Sequence, residues 1–321
     1  MEDVRPTMRA KIACLTCACA LLLGPVAAKA EPQASPVGPA QSNWWSAYAY
    51  SLSNPTAIPI GLNDFGCVPS AAHPRPVVLV NGFLESVYVN WSLFGPQLKA
   101  AGYCVFGLNY GEVEGLPIHQ IGPMRDSAAE IGAFVDHVLA ATGAQEVDIV
   151  GHSEGGLVSL YYLNRLDGSD RVGTWVGIAP TTNGASAYGL LTWIAANPPI
   201  AQGIGTFAPS MGDGTAGSKF VEEASLGGWT RTGVGYTTIA SRYDLAVQVA
   251  ESQLPAGPNV SNIVLQDVCP TDLADHTTIV YDENVLQLVR NALDPANSLP
   301  VKCNSVVPLI HQSPLAAATP R

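Results

Sequence analysis

The fold of this protein is decided by one stretch of its sequence, Val147-Asp148-Ile149-Val150-Gly151-His152-Ser153-Glu154-Gly155-Gly156. A short, mainly apolar strand pattern runs directly into Gly-His-Ser-Glu-Gly, and a helical pattern starting at Leu157 follows at once. A G-x-S-x-G segment in this context is typical of a tight turn that lifts the serine hydroxyl clear of a sheet. Glycines are needed two positions before and after the serine, because the backbone packs closely there. We therefore predict that Ser153 is a nucleophile.

Strand and helix patterns alternate along the rest of the chain. Uninterrupted apolar runs are typical of strands buried on both faces of a parallel sheet. Besides 147–150, they predict strands at 77–80, 104–109, 173–178, 236–240 and 262–266. Helices are predicted at 91–101, after 127, from 157 and at 283–293. This alternation predicts an α/β fold with a mainly parallel central sheet and helices on both faces.

One of these predicted helices has recognisable ends. Ser127 and Glu130 match a capping box in front of an apolar face that recurs at helical spacing. Gly143 is expected to end the same helix.

The N-terminus, residues 1–30, has the pattern of a secretory signal peptide, with basic residues before an apolar segment. Ala28-Lys29-Ala30 matches the small-residue cleavage pattern at its end. An uncleaved membrane anchor is the alternative, but the apolar segment is short and contains Gly24-Pro25. We therefore expect a secreted, extracellular protein whose mature chain has no transmembrane span.

The remainder divides into three parts by composition. We expect a lead-in and N-terminal arm at 31–60, one α/β domain at 61–300 and a C-terminal tail at 301–321. Residues 181–233 interrupt the alternation with a Gly- and Pro-rich insertion, which is where a small cap over the site would lie.

Part of this insertion is apolar. Its large side chains would line or cover a substrate pocket, and ordinary core packing is an equal alternative. These candidates for the substrate pocket are Leu190, Leu191, Trp193 and Ile194.

Four cysteines remain after the predicted signal peptide, namely Cys67, Cys104, Cys269 and Cys303. An even number in an exported chain suggests two disulfides, and four cysteines allow three pairings. We favour Cys67–Cys104 and Cys269–Cys303, because each pair brackets one structural block and closes a loop of moderate length.

The formal net charge of the chain is -11, and no basic stripe interrupts its acidic character. This balance argues against a nucleic-acid partner. The four cysteines after the predicted signal peptide form no CxxC metal or redox motif, so no metal and no cofactor is predicted.

A serine nucleophile needs a histidine base and an orienting carboxylate, which in α/β-hydrolases follow in the order serine, acid, histidine. His276 and His311 are the two histidines after Ser153, and His311 lies in the Pro-rich tail. We favour His276, because a base in the loop after the last strand would reach back over the carboxyl edge of the sheet.

The acid is chosen by the same reasoning. Asp244 closely follows a buried strand, whereas Asp267 follows the strand nearest His276 and Asp213 lies in the insertion. Asp244 is therefore the preferred acid, although a surface aspartate is the plain alternative. For the oxyanion hole we predict the backbone N–H of Glu154, directly after the nucleophile, and that of Phe83, after the 77–80 strand.

His152 lies beside Ser153 in the chain. Its side chain should point away from that of the serine in a tight turn. We therefore expect it to pack or to form a hydrogen bond within the loop, and not to act as the base.

Several segments together resemble the secreted bacterial triacylglycerol lipases and esterases of the α/β-hydrolase fold, in particular the actinobacterial lipase class 2 group. They occur in the same order from Cys67 to Pro295. The matching segments are Ser70-Ala71-Ala72-His73-Pro74-Arg75-Pro76-Val77-Val78-Leu79-Val80, Gly102-Tyr103-Cys104-Val105-Phe106, Val147 to Ser153, Ser241-Arg242-Tyr243-Asp244, and Leu265-Gln266-Asp267-Val268-Cys269-Pro270 running to Asp275-His276. More remotely, the acid and histidine segments are similar to fungal lipase B-type enzymes.

The resemblance implies a triad of Ser153, Asp244 and His276, with Phe83 and Glu154 as oxyanion-hole donors. The chain departs from the family in having Asn81 where His is usual and Glu154 where Gln is more common. The segment after Asp244 also differs from the usual Glu-Val-Val-Thr-Pro.

These observations lead us to expect a secreted serine carboxylic-ester hydrolase that cleaves acylglycerols or other lipophilic esters through an acyl-enzyme on Ser153. A catalytically silent hydrolase-fold binding protein is the alternative of a different class. A polyester hydrolase or an acyltransferase would use the same triad. We expect a monomer whose partners are a lipid or small-ester substrate, and which can contact a lipid interface without a transmembrane span.

Overall fold

The computed structural model describes residues 35–116 and 118–312. The predicted signal peptide lies outside the described residues, as does the end of the predicted tail, residues 313–321.

A six-stranded parallel sheet forms the centre of the protein, in the order β4-β3-β5-β6-β7-β8. Its strands are β3 (Val77–Val80), β4 (Val105–Gly107), β5 (Val147–His152), β6 (Val172–Ile178), β7 (Gly235–Ala240) and β8 (Val260–Val264). Near the N-terminus, β1 (Val37–Gly38) and β2 (Ile58–Pro59) form a separate two-stranded parallel sheet. The predicted mainly parallel sheet is confirmed, and only its last strand is displaced, beginning and ending two residues earlier than predicted.

Helices connect the strands and extend the chain at both ends. The N-terminal half contains α1 (Trp44–Ser53), α2 (Val87–Trp91), α3 (Phe94–Ala100), α4 (Met124–Thr142) and α5 (Glu154–Arg165). The predicted insertion contains α6 (Leu190–Ala195), α7 (Pro198–Phe207), α8 (Pro209–Asp213) and α9 (Lys219–Ser225). The C-terminal part contains α10 (Val249–Ser252), α11 (Leu265–Val268), α12 (Glu283–Leu293) and α13 (Leu309–Gln312).

The sheet is covered on both faces, as the unbroken apolar runs predict. In β3, alternate side chains point to opposite faces, and all four are fully buried. Val77 and Leu79 pack in the cluster that includes side chains of α1, α2, α3 and α12. Val78 and Val80 pack in the other cluster, with side chains of α4, α5 and α9. Burial of β3 on both sides fixes the loop that follows it, residues 81–85, which is called the β3 loop below.

Two predicted helix starts are wrong. α4 begins at Met124 and not after a capping box, because the Ser127 hydroxyl donates to the Pro123 carbonyl (3.2 Å) and Glu130 accepts from the Gly111 N–H (3.3 Å). The helix predicted from Trp91 is instead two short helices, since the Ser86 side chain caps α2 before α3 begins. The predicted end of α4 at Gly143 is confirmed by the left-handed backbone there, with φ 71°.

Two disulfides join the four cysteines in the predicted pairs. Cys67–Cys104 ties the segment before β3 to the start of β4, with a Cα–Cα distance of 5.8 Å. Cys269–Cys303 ties the C-terminal segment to residues 269–277, called the His276 loop below, with a Cα–Cα distance of 4.9 Å.

Among residues 35–116 and 118–312, no helix combines the length and apolar character needed to cross a membrane.

Candidate active site

Ser153 lies at the tip of the turn between β5 and α5, with a left-handed φ of 52°. This backbone is strained for a residue with a side chain, and it is maintained by the close packing around it. A Cβ on Gly155 would collide with the carbonyl oxygens of Val80 and Asn81, and one on Gly151 would lie 2.8 Å from Gly156. The two glycines of the motif are therefore required by packing, and the turn presents Ser153 at the carboxyl edge of the sheet.

The structure brings the three predicted catalytic side chains together in one hydrogen-bonded chain. His276 Nε2 lies 2.8 Å from Ser153 Oγ, and His276 Nδ1 lies 2.6 Å from Asp244 Oδ2. The other oxygen of Asp244 accepts hydrogen bonds of 2.8 Å from the N–H groups of Ala246 and Val247. The carboxylate is buried and held from both sides, which is the arrangement that orients a histidine base toward a serine.

The charges near His276 set its protonation behaviour. Burial would lower the pKa of the imidazole, but the Asp244 carboxylate, through its charge and its hydrogen bond, outweighs this effect. Glu85 and Asp275 act in the same direction, so the pKa of His276 is raised above its ordinary value of 6.5. A raised pKa makes His276 a stronger base toward the serine hydroxyl.

The competing candidates lie apart from this chain of hydrogen bonds. His311 is exposed on α13, and Asp267 forms an ion pair of 2.7 Å with Arg242 at the surface. Asp213, at the end of α8, accepts a 3.0 Å hydrogen bond from the Met124 N–H.

The predicted oxyanion-hole donors line the same cavity as Ser153. Within the part of the chain that the structure describes, neither the Phe83 N–H nor the Glu154 N–H donates to a protein acceptor. A Cβ on Gly82 would lie 3.1 Å from Ser153 Cβ, so the β3 loop runs directly against the nucleophile. Free N–H groups in this position, one of them at the N-terminus of α5, can bind a developing oxyanion.

Asn81 holds the β3 loop through two hydrogen bonds. Its Nδ2 donates to the Glu85 carbonyl (2.9 Å), which closes the loop on itself. Its own carbonyl accepts from the buried Tyr110 hydroxyl (2.6 Å). These two bonds fix both ends of the loop.

A cavity of about 320 Å³ opens beside Ser153. Its apolar lining side chains are Phe83, Met124, Ala185, Ala187, Leu191, Met211, Ala246 and Val247. Of the four residues predicted to line or cover a substrate pocket, Leu191 lines this cavity. Leu190, Trp193 and Ile194 do not line it, and no residue of α6 is fully buried. Successive residues of a helix point in directions about 100° apart, so only one side of α6 can face the cavity.

The Glu154 side chain is a feature of the site that sequence reasoning missed. It is 4% exposed, and its Oε1 has no hydrogen-bond partner among the described residues. Burial raises the pKa of this carboxyl well above its ordinary value, and the charge of Asp213 adds to the effect, while the Ser210 side chain opposes it. The signal in the sequence is the unusual acidic residue itself, but its burial and its contact with Ser210, 56 residues later, are set by tertiary structure.

No group of three or more His, Cys, Asp or Glu side chains able to hold a metal ion occurs within residues 35–116 and 118–312.

The family model described as "Lipase (class 2)" matches residues 74–289. The chain belongs to the lipase class 2 family. The matched region runs from the segment before β3 to α12 and includes Ser153, Asp244 and His276.

Individual relatives are similar over a smaller region. A triacylglycerol lipase of Pseudarthrobacter phenanthrenivorans is 34% identical over 96 residues, which are 28% of this chain and 28% of that protein. A triacylglycerol lipase of Burkholderia plantarii is also 34% identical over 96 residues, 28% of this chain and 25% of that protein. The chain thus aligns with about a quarter of the length of these relatives.

Solved structures show the fold. Lipase B of Aspergillus fumigatus superposes with a TM-score of 0.57 at 19% identity, covering 78% of this chain and 60% of that one. A Bacillus licheniformis lipase in its mature form gives a TM-score of 0.53 at 17% identity, covering 70% of this chain and 94% of that one. Together with the parallel sheet and its helices, they show that this lipase class 2 protein has the α/β-hydrolase fold.

Proposed function

We propose that this lipase class 2 protein is a serine carboxylic-ester hydrolase. The observation that carries the proposal is the hydrogen-bonded chain from Asp244 through His276 to Ser153, which ends at a largely apolar cavity. A serine that is activated in this way attacks acyl carbons, and an apolar cavity favours lipophilic acyl groups. The two relatives named as triacylglycerol lipases support acylglycerols as the substrate class.

The mechanism follows from the positions of these groups. His276 Nε2 takes the proton of the Ser153 hydroxyl as its oxygen attacks the ester carbonyl. The tetrahedral oxyanion is bound by the N–H groups of Phe83 and Glu154, each of which is worth about 10²–10³ in rate in comparable sites. His276 then gives the proton to the leaving alcohol, and a water molecule, activated by the same imidazole, hydrolyses the acyl-enzyme.

The proposal includes an extracellular location and action as a monomer. The two disulfides support an oxidising compartment, and they clamp segments next to β4 and the His276 loop. All the side chains of the proposed site come from one chain, so a monomer suffices for the chemistry.

The test is hydrolysis of p-nitrophenyl esters by the purified protein and by two matched histidine variants. His276→Gln should lower kcat by about 10⁴-fold or more, because Ser153 loses its base. His311→Gln changes the exposed histidine that competed for this role and should leave kcat unchanged. Equal activity of the His276→Gln variant and the unmodified protein would refute the assignment.

A fluorophosphonate probe separates the enzyme from a catalytically silent binding protein. Such probes form a covalent bond with an activated serine, so the unmodified protein should label and Ser153→Ala should not. Failure of the unmodified protein to label would favour the silent alternative. A series of p-nitrophenyl esters of increasing acyl length then defines the substrate preference of the cavity.

A further inference from the structure

The hydrogen bonds of His152 are not explained by a role as the catalytic base or by contact with substrate. It precedes the nucleophile, its side chain is 2% exposed, and both its ring nitrogens contact other polar groups. Nε2 lies 3.0 Å from the main-chain carbonyl oxygen of His276. Because a carbonyl oxygen can only accept a hydrogen bond, Nε2 carries a proton.

The second ring nitrogen also faces an acceptor. Nδ1 lies 3.0 Å from Asn90 Oδ1, and this oxygen accepts a 2.8 Å hydrogen bond from the Gly82 N–H. The bond from Gly82 fixes the orientation of the amide, since a rotated Asn90 would place its NH₂ group against that N–H. Nδ1 must therefore donate to Asn90 Oδ1. A neutral imidazole has one N–H and an imidazolium has two, so the hydrogen bonds indicate an imidazolium.

A carboxylate lies beside this ring to balance its charge. Glu85 Oε2 is 3.5 Å from His152 Nδ1 and has no hydrogen-bond partner among the described residues. The other oxygen of Glu85 accepts a 2.9 Å hydrogen bond from Trp44 Nε1, which holds the carboxylate in place. A buried charge is tolerated when it is paired in this way.

The remaining titratable groups around the ring belong to the proposed catalytic site. The ring centroid of His276 lies 5.0 Å from that of His152. Asp244 Oδ2 lies 2.6 Å from Nδ1 of His276. Asp275 and Glu85 both act on His276 through their charges. Glu85 is thus the carboxylate placed directly against His152.

We propose that His152 is an imidazolium positioning residue which, paired with Glu85, ties the β3 loop to the main chain of His276 and so holds the oxyanion hole in place. The proposal rests on the proposed ester hydrolysis for its kinetic consequences. Asn90 links His152 to the β3 loop, because its Oδ1 accepts hydrogen bonds from both His152 Nδ1 and the Gly82 N–H. When Nδ1 loses its proton, two acceptors face each other at 3.0 Å and the bond becomes repulsive. Gly82 precedes Phe83, whose N–H is the first oxyanion donor.

The protonation state can be measured without any activity. Protein labelled with ¹⁵N at histidine, with the His152 signals assigned by comparison with His152→Gln, should show both ring nitrogens of His152 protonated at neutral pH. An unprotonated Nδ1 would overturn the proposal. This measurement remains decisive if the protein hydrolyses no ester, so its failure and that of the proposed function are distinguishable.

The kinetic test removes only the balancing charge. Glu85→Gln keeps the shape of the side chain and the oxygen that accepts from Trp44, but it destabilises the imidazolium. The tie between the β3 loop and His276 should therefore weaken, and kcat for a short ester should fall by about tenfold while KM changes little. An unchanged kcat in this variant would contradict the role of the pair.

Two further variants separate positioning from general damage. Trp44→Phe removes the hydrogen bond to Glu85 but leaves the charge pair, and its kcat should stay within about twofold of that of the unmodified protein. His152→Gln should lower kcat by about 10²-fold, the usual effect of misplaced catalytic groups, while KM for a short ester changes little. A large rise in KM with unchanged kcat would instead indicate that His152 contacts substrate.

Discussion

The contacts of Asp244 determine which nitrogen of His276 carries the proton. Its Oδ2 faces His276 Nδ1 at 2.6 Å, and its Oδ1 is occupied by the N–H groups of Ala246 and Val247. Because the carboxylate can only accept, Nδ1 of the imidazole carries the proton. The lone pair of Nε2 is then available to the Ser153 hydroxyl.

Replacing Asp244 by asparagine should therefore change the tautomer of the His276 imidazole while leaving the positions of the side chains unchanged. An amide placed with its NH₂ toward Nδ1 favours the wrong tautomer, and kcat for a p-nitrophenyl ester at neutral pH should fall by about 10⁴-fold. Asp267→Asn, which alters an exposed aspartate paired with Arg242, is the matched control and should keep the original kcat. If Asp244→Asn retained a tenth of the activity, the carboxylate would not be the orienting group.

At the scale of single residues, the sequence is most informative where chain order restricts the choice. Two histidines follow Ser153, and their places relative to the last strand favour one of them. It fails for His152, because its hydrogen bonds depend on Asn90, which is 62 residues away in sequence. The side chain of Glu154 escaped prediction for the same reason. Donor and acceptor arrangements of buried polar groups are set by tertiary contacts, which a local pattern does not contain.

At the scale of elements, the strands were the most predictable parts of the fold. Fully buried parallel strands leave continuous apolar runs such as Val77–Val80, and these were located to within two residues. Helix starts were less predictable, since the Ser127 hydroxyl bonds back to Pro123 within a helix instead of capping one. The serine and glutamate that match a capping box therefore form other hydrogen bonds, to Pro123 and Gly111.

The α6–α7 surface is an element-scale feature with a functional consequence. It carries several large apolar side chains, each 41% exposed or more, and neither helix has a buried residue. Its members are Tyr188, Leu190, Trp193, Ile200 and Phe207. Leu191, on the same helix as Trp193, lines the cavity, so α6 carries both part of this surface and part of the cavity wall. We propose that this surface contacts the lipid interface on which insoluble esters are presented.

The double substitution Leu190→Ser and Trp193→Ser tests this role. It removes apolar area that would insert into the interface, so the rate on emulsified long-chain triglyceride should fall about tenfold relative to the rate on a short soluble ester. Val68→Ser alters an exposed apolar residue on the segment before β3 and should leave this ratio unchanged. A ratio equally unaffected in the double variant would remove the surface from the proposal.

At the scale of the whole molecule, the His276 loop connects the sheet to the C-terminal segment. The Asp275 carboxylate accepts from the Thr278 N–H (2.9 Å) and from the Leu309 N–H (2.8 Å), so the tail is bonded directly beside the catalytic histidine. The disulfide Cys269–Cys303 joins the same two segments. The position of His276 therefore depends on residues that lie beyond the matched family region.

Two buried carboxyls support this part of the molecule. Asp272 and Asp282 are both fully buried, and Asn284 donates to each of them, through its side chain to Asp272 and through its N–H to Asp282. Burial, followed by the adjacent Asp272 carboxylate, raises the pKa of Asp282 from an ordinary 3.8 to about 9, although the N–H groups of Asn284 and Val285 oppose the shift. Asp282 is therefore protonated in the folded protein near neutral pH.

This shift makes the folded protein sensitive to alkali. The unfolded chain releases the Asp282 proton above pH 4, whereas the folded chain keeps it until about pH 9. The stabilisation is therefore complete below the unfolded pKa and is lost progressively as the pH rises between these values, by up to about 1.4 kcal/mol per pH unit.

Asp282→Asn keeps an oxygen for the Asn284 N–H and removes the titration, so thermal unfolding should show a Tm that falls less steeply from pH 5 to 9 than in the unmodified protein. Asp272→Asn is the contrasting variant, since its amide would meet the NH₂ group of Asn284 and lower Tm at every pH. Parallel Tm profiles for the unmodified protein and Asp282→Asn would show that Asp282 is ionised in the fold.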